Sequence, residues 1–231
     1  MSMVMGFDGL STGLGSYVSC GAGASLNING ANQLTLIARF KMRRTCASSW
    51  GIISKDNDLN AWQYMLYYEH GTPVDNVYGY ISDGVASEFT PAGPVQLKTI
   101  YHVAYVLTAA RHKLYINGVE ISAPGTARTR NPQNQAGWLL YLGKYAGGHF
   151  TDMNLYEAQV YNRDLSVNEI IYNMNHPNNP IRQNCVLNLT QESLFGGQWK
   201  DLSGNANHGT LSATGVGPVP SNLIAGRNAS L

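Results

Sequence analysis

YHVAYVLTAARHKLYINGVEI, residues 101–121, is the stretch from which the fold can be read. Lys113-Leu114-Tyr115-Ile116 and Val119-Glu120-Ile121 favour extended backbone, and the Asn117-Gly118 pair between them accepts the positive φ angles of a type I′ turn. A β-hairpin is predicted. Upstream, Tyr101, Val103, Tyr105 and Leu107 alternate with His102, Ala104, Val106 and Thr108. Neither set is strongly polar, which predicts a strand covered on both faces, as inside a sandwich.

Outward from this hairpin, further extended segments follow by alternation. Leu34, Leu36, Ala38, Phe40 and Met42 share one face of residues 34–42, with Thr35, Arg39 and Lys41 on the other and only Ile37 out of pattern. Val4 to Gly9, Tyr17 to Ser19, Trp50 to Lys55, Ala61 to Glu69, Val77 to Ser82, Leu139 to Gly143 and Met153 to Tyr161 read as strands too. One helix is predicted: Ser166 and Glu169 form a capping box, Leu165 and Ile170 a hydrophobic staple, and His176-Pro177 a stop. No internal repeat interrupts this order.

A chain of 231 residues that is 44% hydrophobic can bury a full core as one main domain. Charged residues are only 13%, against roughly 25% in an ordinary soluble domain. The net charge is +1, and only Lys41-Met42-Arg43-Arg44 groups basic residues, which argues against a nucleic-acid partner. Gly, Asn, Ser, Thr and 14 Tyr leave a neutral, aromatic surface suited to sugars or to packing against other protein copies. The opening MSMVMGFDGL lacks a basic region before an apolar core, and no run of about 18 apolar residues exists. The expectation is synthesis in the cytoplasm with no membrane span. Cys20, Cys46 and Cys185 lie far apart without CxxC spacing and read as free, mostly buried thiols. A Cys20 to Cys46 bridge is expected only in an oxidising environment.

The order His-Val-Ala, short turn, Leu-Tyr-Ile-Asn-Gly resembles the central hairpin of laminin-G-like modules, which belong to the concanavalin A-like group of two-sheet jelly rolls. Phe7-Asp8-Gly9 followed by Tyr17-Val18 resembles the opening of such modules, and Phe40 stands where their long strand carries an aromatic. YNRDLSVNEIIYNMN, residues 161–175, resembles their closing segment in a form common among tailed-phage structural proteins. The resemblance implies an all-β, two-sheet antiparallel jelly-roll sandwich with one short capped helix. It covers residues 1–175; residues 176–182 read as a linker and residues 183–231 as a C-terminal arm. In that arm Trp199-Lys200-Asp201-Leu202-Ser203-Gly204-Asn205-Ala206-Asn207-His208-Gly209 matches a pattern that the family places near the start of a module. The displacement implies a permuted or swapped strand and turn. Cys185, Leu187 and Leu189 give this arm an apolar face, and Trp199 and Leu202 call for cover.

Glycoside hydrolases on such folds need two carboxylates on one face, and no strand carries a Glu-x-Asp spacing; Asp152 and Glu157, five apart, are expected on opposite faces. His102 reads as a buried, hydrogen-bonded core histidine, and Ser166 and Ser203 lack an activating His and Asp. The expectation is a protein without catalysis. The resemblance implies a calcium ion held by turn oxygens, for which Asp8, Asp201, Asn205 and Asn207 lie in the matching turns, although Tyr156 stands where relatives carry an aspartate. Asx turns that bond their own backbone are the alternative reading. Trp62, Tyr78 and Tyr80, with His70, Asn60 and Gln63 as hydrogen-bonding neighbours, form a candidate glycan surface, while alternation turns at least Tyr64 or Tyr67 inward. Two functions remain open: a virion structural protein, as an outer decoration or appendage subunit, and a lectin-like carbohydrate-binding module of a secreted or cell-surface system.

Overall fold

The computed structural model describes residues 3–7, 16–44, 50–59, 61–145, 148–195, 197–212 and 218–220. Its strands, in chain order, begin with β1 (Met3–Phe7), β2 (Val18–Ser19), β3 (Leu34–Met42), β4 (Trp50–Asp56), β5 (Trp62–Glu69), β6 (Asp75–Ser82) and β7 (Ser87–Phe89). They continue with β8 (Gly93–Val95), β9 (Ile100–Leu107), β10 (Arg111–Ile116), β11 (Val119–Ala127), β12 (Leu139–Leu142), β13 (Lys144–Tyr145), β14 (His149–Phe150) and β15 (Met153–Tyr161). Helix α1 (Val167–Asn175) precedes β16 (Cys185–Leu189), β17 (Leu194–Phe195), β18 (Gln198–Trp199), β19 (Gly209–Leu211) and β20 (Pro218–Pro220).

Two antiparallel sheets make the sandwich. The first runs β11-β10-β9-β3-β15-β1-β20, with β16 also on β15; the second runs β17-β18-β19-β2-β12-β4-β5-β6-β7, with β8 also on β6. Between them lies one apolar core that includes Phe7, Leu36, Phe40, Ile53, Tyr64, Leu66, Tyr68, Tyr105, Leu114, Leu142, Leu155 and Trp199. The predicted hairpin is β10–β11, pairing Ile116 with Val119 across Asn117 (φ 49°) and Gly118 (φ 80°), the two positive angles that a type I′ turn requires. Among the described residues no helix is long and apolar enough to cross a membrane.

Helix α1 forms where its capping box predicts. The Ser166 hydroxyl accepts the Glu169 N–H, and the Glu169 carboxylate accepts the Ser166 N–H while pairing with Arg163 at 2.6 Å. Both staple residues are buried, and the helix covers Ile37, Ala104, Val106, Tyr115 and Tyr161 on the outer face of the first sheet. Ile37 therefore breaks the alternation of β3 because its face is roofed by α1 rather than wetted.

The segment after the helix is built into the same sandwich. Strand β15 takes β1 along Met153–Leu155 and β16 along Ala158–Tyr161 on one flank, so the first strand and the first strand after the helix share a single strand edge. Leu187 and Leu189 enter the core, and Trp199 is buried with its Nε1 donating to the Thr190 carbonyl at 2.7 Å. Strand β19 carries the chain into the second sheet beside β2. Leu202 is a correction to the expectation of cover, being 39% exposed in the turn.

Bulges overturn a second expectation. The register of β15 against β3 slips between Leu155 and Glu157, so Tyr156 is the extra residue and Glu157 comes opposite Arg39, on the outer face that Asn154 shares. The five-residue spacing of Asp152 and Glu157 thus does not set them on opposite faces. Asp152 is engaged by Arg43 at 2.5 Å and by Arg44, and Glu157 faces His102.

Candidate functional site

The outer face of the second sheet carries a contiguous set of rings from β5, β6, β7 and the β13–β14 flap. A bulge in β5 creates part of it: Asp56 pairs with Trp62 and Lys55 with Tyr64, leaving Gln63 extra. Trp62 and Tyr67, five residues apart, therefore share the outer face, while Tyr64 and Tyr68 enter the core. On β6, Tyr78 lies opposite Tyr67 and Tyr80 opposite Met65, and Phe89 of β7 lies opposite Tyr80.

The rings touch in sequence. Trp62 meets Tyr80 and Tyr145 edge-on at 5.4 and 6.1 Å; Tyr67 stacks on Tyr78 at 5.1 Å, and Tyr80 on Phe89 at 6.3 Å. Phe89 is the open end at 53% exposure. Burial, with the Glu69 carboxylate as the next cause, raises the Tyr67 and Tyr78 hydroxyls above the usual phenol range, so both remain neutral donors at physiological pH.

The flap is pinned to this face by its own lysine. Lys144 Nζ lies 4.4 Å from the Tyr17 ring centre, 4.2 Å from that of Tyr141 and 2.7 Å from Asp58 Oδ1. Asp58 also accepts the Tyr141 hydroxyl at 2.7 Å. The Lys144 carbonyl accepts the Ser54 hydroxyl at 2.7 Å, and a Cβ on Gly51 would stand 2.4 Å from that carbonyl, so only glycine lets the flap lie this close to β4. Tyr145 and His149 stack at 4.8 Å beside Trp62 as a result.

Trp62, Tyr78 and Tyr80 are thus brought together. His70 stands apart in the β5–β6 turn, its Nδ1 2.6 Å from Asp75 Oδ1, and Gln63 is buried with its amide donating to Asn27, Ile28 and Gln133. Asn60 lies outside the described residues. Sequence reasoning missed Tyr67, Phe89, Tyr145 and His149. Only the Lys-Tyr and His-Phe pairs flanking a glycine turn hinted at the flap.

The candidate calcium residues divide differently. Asp8 lies outside the described residues. Asp201, Asn205 and Asn207 meet in the β18–β19 turn, where the Asp201 carboxylate accepts the N–H groups of Asn188, Ser203 and Asn207 and the Ser203 hydroxyl, all between 2.8 and 3.0 Å. A carboxylate offers about four acceptor sites, so this one is filled by protein donors. Asn207 donates to Ser25 and to the Val186 carbonyl, and Asn205 to the Cys185 carbonyl, tying the turn to β16. Among the described residues no group of three or more His, Cys, Asp or Glu is placed to hold a metal. Cys20 and Cys185 are free and buried, with burial pushing the Cys185 thiol up to about 12; Cys46 lies outside the described residues.

Comparison with known proteins places this geometry. A heptameric pentraxin from Limulus polyphemus shares the fold at 14% identity and TM-score 0.56, over 74% of this chain and 81% of that one. A Bacteroides ovatus protein, given as a proposed carbohydrate-binding protein, matches at 16% identity and TM-score 0.66 over 95% of this chain, which spans 62% of its length. A Trypanosoma rangeli sialidase matches only in part, at 18% identity and TM-score 0.47, with 23% of that chain covered. No curated protein sequence gives a significant match. A laminin-G-type family model matches residues 12–171, well over half the chain, and by that match the protein belongs to the concanavalin A-like lectin/glucanases superfamily.

Proposed function

We propose that the protein is a non-catalytic module that binds carbohydrate on the ring-covered face of its second sheet. The observation that carries this is the contiguous surface of Trp62, Tyr67, Tyr78, Tyr80, Phe89 and Tyr145, on neighbouring strands and a pinned flap. Aromatic rings with neutral hydroxyls offer sugars apolar contact and hydrogen bonds together. The fold shared with a proposed carbohydrate-binding protein supports the reading. So do the acids of the first sheet: Asp152 is engaged by Arg43 and Arg44, and Glu157 is buried beside His102, so neither carboxyl is presented on the ring-covered face.

A glycan array with the wild type and with Trp62→Ala, Tyr78→Ala and Tyr80→Ala tests it. Each ring lost should weaken binding by on the order of 1 kcal/mol, about fivefold. Binding that survives all three changes places the glycan site elsewhere.

A second reading sets this module in a virion, as an outer decoration or appendage subunit made in the cytoplasm and packed against other copies. The phage-like segment at residues 161–175 and the low charge favour it. Sedimentation of the purified protein, alone and with candidate particles, distinguishes the two. Assembly or particle attachment supports the virion; a strict monomer that binds only soluble glycan supports a lectin-like module of a secreted or cell-surface system.

A further inference from the structure

A concavity lies on the opposite side of the molecule, away from the rings. A groove of about 530 Å³ opens between the outer face of β9–β11 and the start of α1. Its floor is apolar: Val106, Leu165 and the Tyr115 ring are all buried. Four ionisable side chains besides Tyr115 line it, namely Lys113 on β10, Glu120 on β11, Asp164 before the helix and Glu169 within it.

Three of these charges are already answered. Both Glu169 oxygens are engaged by Arg163, one of them also by Ser166. Lys113 Nζ lies 3.4 Å from Glu120 Oε2, which also accepts the Tyr115 hydroxyl at 3.1 Å. Glu120 Oε1 is buried and accepts no hydrogen bond, and the Asp164 carboxylate has no ion pair among the described residues. The groove is left with one uncompensated negative charge above an aliphatic floor. An anion would meet three carboxylates and a lysine already engaged.

We infer that this groove takes an alkylammonium group, presented as a lysine side chain of a partner protein. The four-carbon stem lies over Val106 and Leu165, and the ammonium turns toward Asp164, which is how lysine divides between apolar and polar surroundings. A protein source is favoured by what borders the groove. Val167 and Ile171, one turn apart on α1 and 40% and 36% exposed, lead to the hairpin turn, where Gly118 lies against Ile171 and Val119 is 65% exposed. That strip gives the residues flanking a lysine something to cover; a free amine leaves it bare.

Amide NMR titration of the full chain tests the inference with three probes: Nα-acetyl-lysine-N-methylamide, its norleucine counterpart, and 1,5-diaminopentane. The lysine probe should give saturable shifts confined to residues around 106–120 and 164–171, with the norleucine probe on the order of tenfold weaker. Asp164→Asn should weaken the lysine probe by about five- to tenfold without moving the melting temperature, because that carboxylate has no ion pair among the described residues to lose. Glu120→Gln supplies a second variant with the same expected direction. Equal response to lysine and norleucine, no saturable shift, or binding unchanged in both variants overturns the site. Tighter binding of the diamine than of the capped lysine overturns the protein source.

Discussion

His102 Nε2 lies 3.5 Å from Glu157 Oε1, with both side chains 2% exposed on the outer face of the first sheet. Burial, aided by the nearby Arg39 guanidinium, lowers the His102 pKa to about 4; burial, opposed by Arg39, raises that of Glu157 to about 7. Between about pH 4 and 7 the pair is a neutral imidazole beside a neutral carboxyl.

The two shifts act on stability in opposite directions. Between pH 4 and 6.5 the unfolded state holds the His102 proton and the folded state does not, so that group makes stability rise with pH. Between pH 4.5 and 7 the folded state holds the Glu157 proton and the unfolded state does not, so stability falls. The wild type should be nearly flat across the overlap as far as this pair is concerned. Glu157→Gln should leave the rising slope and His102→Gln the falling one, each on the order of 3 kcal/mol across its window. Urea unfolding at pH 4.5, 5.5 and 6.5 checks it, and parallel slopes in the two variants would refute the assignment.

Lys144→Met should cost about 1–2 kcal/mol, because it removes a cation from between two rings and leaves the partly exposed Asp58 without its ion pair. The flap should loosen with it. Hydrogen exchange at residues 144, 145 and 148–151 should quicken, since the bonds of Ser54 and Thr151 then carry more of the hold on β4. Unchanged exchange would show that the pin is dispensable.

Asp201→Ala should cost roughly 2–4 kcal/mol, since it strands buried N–H groups of Asn188 and Asn207. The same crowding of donors predicts no rise in melting temperature on moving from EDTA to millimolar calcium. A ligand held only by the folded state raises stability by mass action, so a clear calcium-dependent rise would place an ion on oxygens other than those of Asp201.

Much of this architecture was legible because its signals are local. Asn117-Gly118 and Ser166-x-x-Glu169 each specify backbone geometry within four residues, and the alternation in residues 34–42 and 153–161 yields strands with the bounds that the structure shows. What escaped depends on partners distant in sequence. Bulges at Gln63 and Tyr156 reverse side-chain parity, so Tyr67 joined the ring surface and Glu157 the face of Asn154, and neither bulge has a glycine to announce it. Ile37 departs from the alternation because α1, 130 residues on in the chain, covers it. The candidate site was half legible: strand alternation could supply Trp62, Tyr78 and Tyr80, but Tyr145 reaches them only because Lys144 is caged by Tyr17 and Tyr141, more than a hundred residues apart in sequence.

Truncation after Asn175 removes β16 and with it the ladder along Ala158–Tyr161, leaving the backbone of β15 bare beside the surviving β1 pairing. It also removes Leu187, Leu189 and Trp199 from the core and β19 from the edge of β2. Deleting a single buried leucine or tryptophan side chain typically costs 2–5 kcal/mol. Three such losses approach or exceed the roughly 5–15 kcal/mol that hold a domain together. An unpaired strand edge above an open core also invites aggregation. The truncated chain should therefore be insoluble, or melt far below the full protein, and adding residues 183–212 as a separate peptide should restore solubility if it can pair with β15 in trans. Sedimentation and thermal melting decide the matter. A soluble 1–175 fragment with the melting temperature of the whole would mean that β16 and Trp199 contribute nothing to the sandwich they enter.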